Sequence, residues 1–172
     1  MKVVVKHECI YNKGNTAKGG IKMAAMTFNA EFDGYWRDKN ISGISASSGV
    51  YCVYECTYNQ EEKTVSIHRL IYIGEAKDAR DRIKNHEKWQ DWKKYVRSGN
   101  VLCFFFAYVK SENRDRVEAA FIFKHKPPET DGYKNEFPFD TTTIKASGKT
   151  KLLSTNFTVH RNVCIARTSS YY

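Results

Sequence analysis

Two alternating runs joined by a short polar segment constrain the fold of this chain more than any other feature. Residues 49–56 and 65–73 alternate with the two-residue period of a β-strand. Residues 57–64 between them are polar and turn-like. Antiparallel strands are the ones that a short turn can join. The sequence therefore predicts a β-hairpin.

The register of this hairpin brings two tyrosines together. If the turn is centred between Glu61 and Glu62 and neither strand contains a bulge, antiparallel pairing sets Tyr51 directly opposite Tyr72. Residues in that position have their side chains on the same face of the sheet, within contact distance. We therefore predict that the two tyrosines form one cluster.

The residues after the hairpin predict two helices and a third strand. Asp78 is a suitable N-cap for a helix over residues 78–97, and Pro127-Pro128 ends a second helix over residues 112–126. Residues 101–109 form an apolar run with the length and composition of a central strand. We predict an α/β (α+β) fold, with a small, mainly antiparallel three-stranded sheet flanked by helices.

The length of 172 residues fits one domain with its own core. A Ser/Gly-rich joint at residues 41–48 and the Pro-rich end of the second helix suggest three segments. We predict an N-terminal extension over residues 1–47, a core over 48–136 and a basic C-terminal extension packed on the core over 137–172. Both extensions are expected to contact nucleic acid.

Composition narrows the classes of function. The formal net charge of +9 favours a polyanionic partner such as nucleic acid. Because the chain has no apolar run long enough for a signal peptide or a membrane span, we expect a cytoplasmic protein without a membrane partner. The five cysteines are scattered, without the spacing of a structural zinc site, and we interpret them as buried free thiols.

Several short motifs together resemble the GIY-YIG nuclease family. They are the tripeptides Gly49-Val50-Tyr51 and Tyr72-Ile73-Gly74, then Arg82 and His86 one helical turn apart, and Glu118 in an otherwise apolar helical run. Each motif alone is weak, and the combination carries the resemblance. It covers about residues 48–130.

The resemblance implies a role for each of these residues. Tyr51 helps to activate the attacking water, with Tyr72 in support. Arg82 clamps the scissile phosphate, and His86 orients a tyrosine or hands on protons. Glu118 holds one Mg²⁺, or Mn²⁺, that binds the phosphate and stabilises the leaving oxygen.

Two ion pairs offer structural interpretations of the same residues. An Asp78–Arg82 pair would make Arg82 part of a solvated helix face, and an Arg114–Glu118 pair would neutralise the buried carboxylate. The second pair is compatible with metal binding.

The chain departs from the family pattern at two places. Glu75 follows the second tripeptide where family members often have a lysine, and Lys77 is the residue that would compensate. Thr130 stands where many members have an asparagine, unless Asn135 reaches the site. We expect Lys77, Thr130 and Asn135, together with Lys84, to contact the substrate.

The function expected from these residues is a divalent-metal-dependent endonuclease that hydrolyses DNA, of the restriction or defence type. Two alternatives stay open: a non-catalytic nucleic-acid-binding module with a GIY-YIG-like fold, and an RNA-cleaving toxin nuclease. Cutting both strands with one active site requires a homodimer, a tetramer or sequential nicking.

Overall fold

The computed structural model describes residues 8–9 and 25–165, and its main element is a curled, six-stranded mixed sheet. In chain order the strands are β1 (Glu8–Cys9), β2 (Met26–Arg37), β3 (Gly49–Asn59), β4 (Thr64–Ala76), β5 (Val101–Tyr108), β6 (Thr142–Gly148), β7 (Asn156–Val159) and β8 (Cys164–Ile165). The helices are α1 (Ala79–Lys84), α2 (Trp89–Lys93) and α3 (Arg114–His125), with short 3₁₀ turns at Asp38–Gly43 and Ser111–Asn113.

The predicted three-stranded sheet flanked by helices is wrong. The sheet has the order β4-β3-β5-β2-β6-β7, and β1 pairs separately with β8. Strand β2 lies between β5, to which it is antiparallel, and β6, to which it is parallel. The two segments expected as extensions thus supply three strands of the sheet, β2, β6 and β7. Apolar residues of these strands complete the core beside β5.

The predicted hairpin forms, but its register differs from the symmetric one. At the turn the pairing is as expected, since Asn59 lies opposite Thr64. Two register shifts follow, each of which adds one residue to β4, so that Tyr51 pairs with Gly74 and Val53 pairs with Tyr72. Two single-residue shifts add up to one full strand period, so Tyr51 and Tyr72 still share a face.

The predicted helix over residues 78–97 is also wrong as one element. Asp78 caps α1 as expected, since its carboxylate accepts a hydrogen bond from the Asp81 backbone N–H at 3.0 Å. The helix then stops, and α2 begins at Trp89. At the break the ring Nδ1 of His86 accepts from the Lys88 backbone N–H at 3.0 Å, an interaction that a continuous helix does not contain.

The sheet carries two apolar clusters, one on each face. One face packs on α3 through Val117, Ala120 and Phe121. The other face, which bears Tyr51, is covered by α1, α2 and the first 3₁₀ turn. The predicted central strand 101–109 is confirmed as β5, with pairing partners on both sides.

Three of the five cysteines have described side chains. Cys52, Cys56 and Cys103 are buried and free, as expected. Cys9 and Cys164 take part in the β1–β8 pairing, and their side chains are outside the described residues. No helix among residues 25–165 is both long enough and apolar enough to cross a membrane.

Candidate active site

The two tyrosines of the hairpin lie together on the face covered by α1 and α2. Their ring centroids are 6.0 Å apart. The Tyr51 side chain is fully buried, and its hydroxyl has no partner in hydrogen-bond geometry, while the Tyr72 side chain is close enough to raise its pKa. A buried hydroxyl without a hydrogen-bond partner destabilises a fold. Such a hydroxyl in a native protein calls for an explanation, and a catalytic role is one.

Gly74 provides the space for this arrangement. A Cβ atom at Gly74 would lie 2.5 Å from Cε1 of Tyr72 and 2.7 Å from the Tyr51 hydroxyl. Only a residue without a side chain fits between the two rings. The glycine of the second tripeptide is therefore explained by contact with the tyrosines of both tripeptides.

His86 lies against both tyrosines from the break between α1 and α2. Its ring centroid is 5.2 Å from that of Tyr72 and 6.3 Å from that of Tyr51. Burial lowers the pKa of His86 to about 4, and the charge of Arg82 contributes, so the ring is neutral at physiological pH. Because Nδ1 accepts the Lys88 N–H, the proton of the neutral ring is on Nε2, which is buried and has no partner.

Arg82 lies on α1 and forms a bidentate ion pair, though not with Asp78. Its two terminal nitrogens donate to the two oxygens of Glu87 at 2.6 and 2.7 Å. Both partners face solvent, with 40% of the Arg82 side chain and 64% of the Glu87 side chain exposed. The Asp78–Arg82 pair, which was the structural alternative for Arg82, is absent from the described part of the chain, since the Asp78 carboxylate caps α1.

Glu118 lies partly buried on α3 without a hydrogen bond or an ion pair to any residue in 25–165. The Arg114–Glu118 ion pair, which was the structural alternative for Glu118, does not form. Arg114 instead pairs with Glu75, the residue that stands where the family often has lysine. Burial raises the pKa of Glu118 to about 7, with a further contribution from Asp115.

Electrostatic interactions connect four of the predicted residues. Burial raises the pKa of both Tyr51 and Tyr72, and the carboxylate of Glu118 raises each of them further. The cation of Arg82 acts in the opposite direction on both tyrosines. Arg82 of α1 and Glu118 of α3 are thus each close enough to Tyr51 of β3 and Tyr72 of β4 to affect the protonation of the two tyrosines.

No protein-family model, curated protein or solved structure matches this chain. The resemblance to GIY-YIG nucleases therefore depends on the sequence motifs alone.

The four predicted substrate-contacting residues have different environments. Lys77 and Lys84 are exposed at the two ends of α1, and Asn135 is exposed in the segment after α3. The Thr130 hydroxyl is buried and bonds the backbone of Ile73, accepting from the N–H at 3.1 Å and donating to the carbonyl at 3.2 Å. Thr130 thereby fixes the edge of β4 beside the tyrosines.

Three residues around the cluster were not predicted from the sequence. Trp92 of α2 is buried, with its ring centroid 4.4 Å from that of His86 and its indole nitrogen unpartnered. Glu87 forms the bidentate ion pair with Arg82 that is described above. Tyr133 donates to Asp115 at 2.8 Å, and Glu118 contributes to the raised pKa of Tyr133. Glu87 comes five residues after Arg82, outside the i, i+3 and i, i+4 spacings at which helical ion pairs are predicted, so the sequence contains no signal for this pair.

The residues present fit a single divalent cation held by one carboxylate. Residues 25–165 contain no group of three or more His, Cys, Asp or Glu side chains suited to a metal. Mg²⁺ is commonly bound by one or two carboxylates, with waters and substrate phosphate as its other ligands. Glu118, which has no competing partner, is the residue that would hold it.

Proposed function

We propose that this protein is a divalent-metal-dependent endonuclease that hydrolyses phosphodiester bonds of DNA, with the Tyr51 cluster as its active site. One observation carries the proposal. An unpartnered buried tyrosine hydroxyl lies within electrostatic reach of an arginine and of a carboxylate that has no partner. A purely structural cluster does not require a buried hydroxyl, an arginine and an unpaired carboxylate close together.

In the proposed reaction Tyr51 first releases its phenolic proton to solvent when substrate and cation bind, and the phenolate then takes a proton from the water that attacks the phosphorus. Burial keeps Tyr51 protonated in the free protein, and cations near its hydroxyl favour the phenolate that accepts this proton. Arg82 is one such cation, and it would also stabilise the charge that develops on the phosphate. A divalent cation, when bound, would neutralise the phosphate and stabilise the leaving oxygen.

His86 would act in this site as a hydrogen-bond donor and not as a base. Its Nδ1 lone pair is occupied by the Lys88 N–H, and its Nε2 carries the proton. A donor beside two tyrosines favours their phenolate forms. His86 would therefore orient and activate a tyrosine, and the proton relay is the less favoured of its two expected roles.

Plasmid cleavage tests the proposal. The full chain is incubated with supercoiled plasmid in Mg²⁺ or in EDTA, beside Tyr51→Phe and Glu118→Ala. We expect Mg²⁺-dependent nicking or linearisation that falls at least about 100-fold in both variants, as for the loss of a catalytic base or of a metal ligand. Tyr51→Phe is expected to remain folded, because the hydroxyl that it removes has no partner.

Full activity of both variants would refute the proposed site. A Mg²⁺-independent activity would refute the role of the metal. RNA cut in place of DNA would move the protein to the toxin-nuclease alternative, so a labelled RNA is included in the same assay.

A non-catalytic nucleic-acid-binding module is the second candidate function. It is favoured by the Arg82–Glu87 pair, because an arginine already neutralised by a carboxylate is not poised for catalysis. This candidate predicts a gel shift with DNA and an intact plasmid under every metal condition.

A further inference from the structure

Glu87 holds the arginine that the proposed function assigns to the phosphate. Both carboxylate oxygens accept from both terminal nitrogens of Arg82, at 2.6 and 2.7 Å. This is the fork geometry in which arginine also binds a phosphate through two oxygens. Glu87 thus occupies the position that two oxygens of a phosphodiester would take.

The Arg82–Glu87 ion pair is weak enough for a ligand to displace Glu87. Both side chains are substantially exposed, and an exposed ion pair contributes at most about 1 kcal/mol to stability. The other nearby basic group, His86, is neutral and 3.8 Å from Glu87, so it adds little to the hold on the carboxylate. No further described residue bonds the Glu87 side chain.

On the basis of the proposed function, we propose that Glu87 is an internal competitor of the substrate phosphate at Arg82. In the free protein the carboxylate neutralises the guanidinium. A phosphodiester binds by displacing Glu87, which then turns into solvent. Glu87 thereby lowers the affinity of Arg82 for every anion by the same factor, so a phosphate binds firmly only where further contacts hold it at the Tyr51 cluster.

Binding of a labelled DNA duplex to the full chain in EDTA tests this, because EDTA prevents cleavage. Glu87→Gln keeps the size of the side chain and removes its charge. We expect it to bind DNA about 2- to 5-fold more tightly than the unmodified chain, the range that follows from releasing one exposed ion pair.

Two controls separate competition from a general effect of charge. Asp91→Asn also removes one negative charge nearby, but Asp91 pairs with Lys94 at 2.6 Å and not with Arg82. It should change DNA affinity less than Glu87→Gln does. In an Arg82→Ala background, Glu87→Gln should keep only a small effect of the size of Asp91→Asn, because the rest of its benefit depends on freeing Arg82.

Any of four results would overturn the inference. The first is weaker DNA binding by Glu87→Gln, which would mean that Glu87 orients Arg82 for the ligand. The second is an equal change of DNA affinity in Glu87→Gln and Asp91→Asn. The third is an effect of Glu87→Gln on DNA affinity that is as large in the Arg82→Ala background as in the unmodified chain. A lack of DNA binding by every variant would overturn it as well. Plasmid cleavage is measured separately, so a tighter Glu87→Gln variant that cuts nothing would refute the nuclease and keep the phosphate site.

Discussion

His86 makes the stability of this protein sensitive to acid. Burial lowers its pKa to about 4 in the folded chain, against about 6.5 in an unfolded one. Between these values the unfolded chain binds a proton that the folded chain does not, so stability is present above pH 6.5 and is lost as the pH falls towards 4. From pH 7 to pH 5 this single group should cost on the order of 1 to 2 kcal/mol.

Urea unfolding at pH 7 and pH 5 measures this effect. We expect His86→Gln to lose less stability between the two pH values than the unmodified chain does. His125 acts in the same direction, because burial also lowers its pKa to about 4, so some acid sensitivity stays in the variant. The control is His68→Gln at an exposed histidine of the hairpin, and an equal pH response of the two variants would contradict the prediction.

The residues of the cluster could be predicted individually, but their states could not. Tyr51 and Tyr72 were identified from motif spacing and Glu118 from its place in an apolar helical run, and Glu118 raises the pKa of both tyrosines. The structural alternative for Arg82 was an ion pair with Asp78, and its partner in the fold is Glu87. The difference arises because α1 ends at Lys84, so that Glu87 comes back to face Arg82.

At the scale of the elements, the β3–β4 hairpin positions the tyrosines through its glycine. The Gly74 backbone has no left-handed φ angle, so the requirement for glycine comes only from space. A methyl group there would lie 2.5 and 2.7 Å from atoms of the two tyrosines, and one ring would have to move. Overpacking of this kind costs about 1 to 3 kcal/mol.

We therefore expect Gly74→Ala to lower both the midpoint of thermal unfolding and nucleolytic activity, the latter more strongly. Gly132→Ala is the matched control, because a Cβ there meets no atom within 4 Å. Thermal unfolding followed by circular dichroism and the plasmid assay check both variants. A Gly74→Ala protein with unchanged activity would mean that the close approach of the two rings is unimportant.

The same hairpin shows what periodicity can predict. Alternation identified both strands and the common face of the tyrosines, because the pattern depends only on parity. It missed the two register shifts, since a bulge leaves no mark in an alternating run of this length. The tyrosines kept their common face because there were two shifts and not one.

On the scale of the whole molecule, strand β2 connects the hairpin half of the sheet to β6 and β7. Its parallel pairing with β6 joins Met26 to Thr142, which are far apart in the sequence. No local pattern encodes such a pairing, and residues 23–36 show no clear period. This explains why the sequence predicted three strands where the fold has six in one sheet.

A fragment of residues 48–136, the predicted core, tests how much the sheet depends on those strands. It lacks Phe32 and Phe157, whose rings lie 5.4 and 5.5 Å from that of Phe121 on α3, and it lacks Ile144. Burial of three such side chains contributes roughly 5 to 9 kcal/mol, which is comparable with the roughly 5 to 15 kcal/mol of a whole domain. The fragment would also expose one edge of β5.

We expect fragment 48–136 to show no cooperative unfolding transition in urea, whereas fragment 25–165, which keeps all six strands, unfolds cooperatively. Circular dichroism and tryptophan fluorescence follow both, because Trp89 and Trp92 are in each fragment. A cooperative transition of 48–136 would show that the hairpin, β5 and α3 form an independent unit. The failure of that fragment to fold would mean that the proposed active site exists only when β2, β6 and β7 complete the sheet behind it.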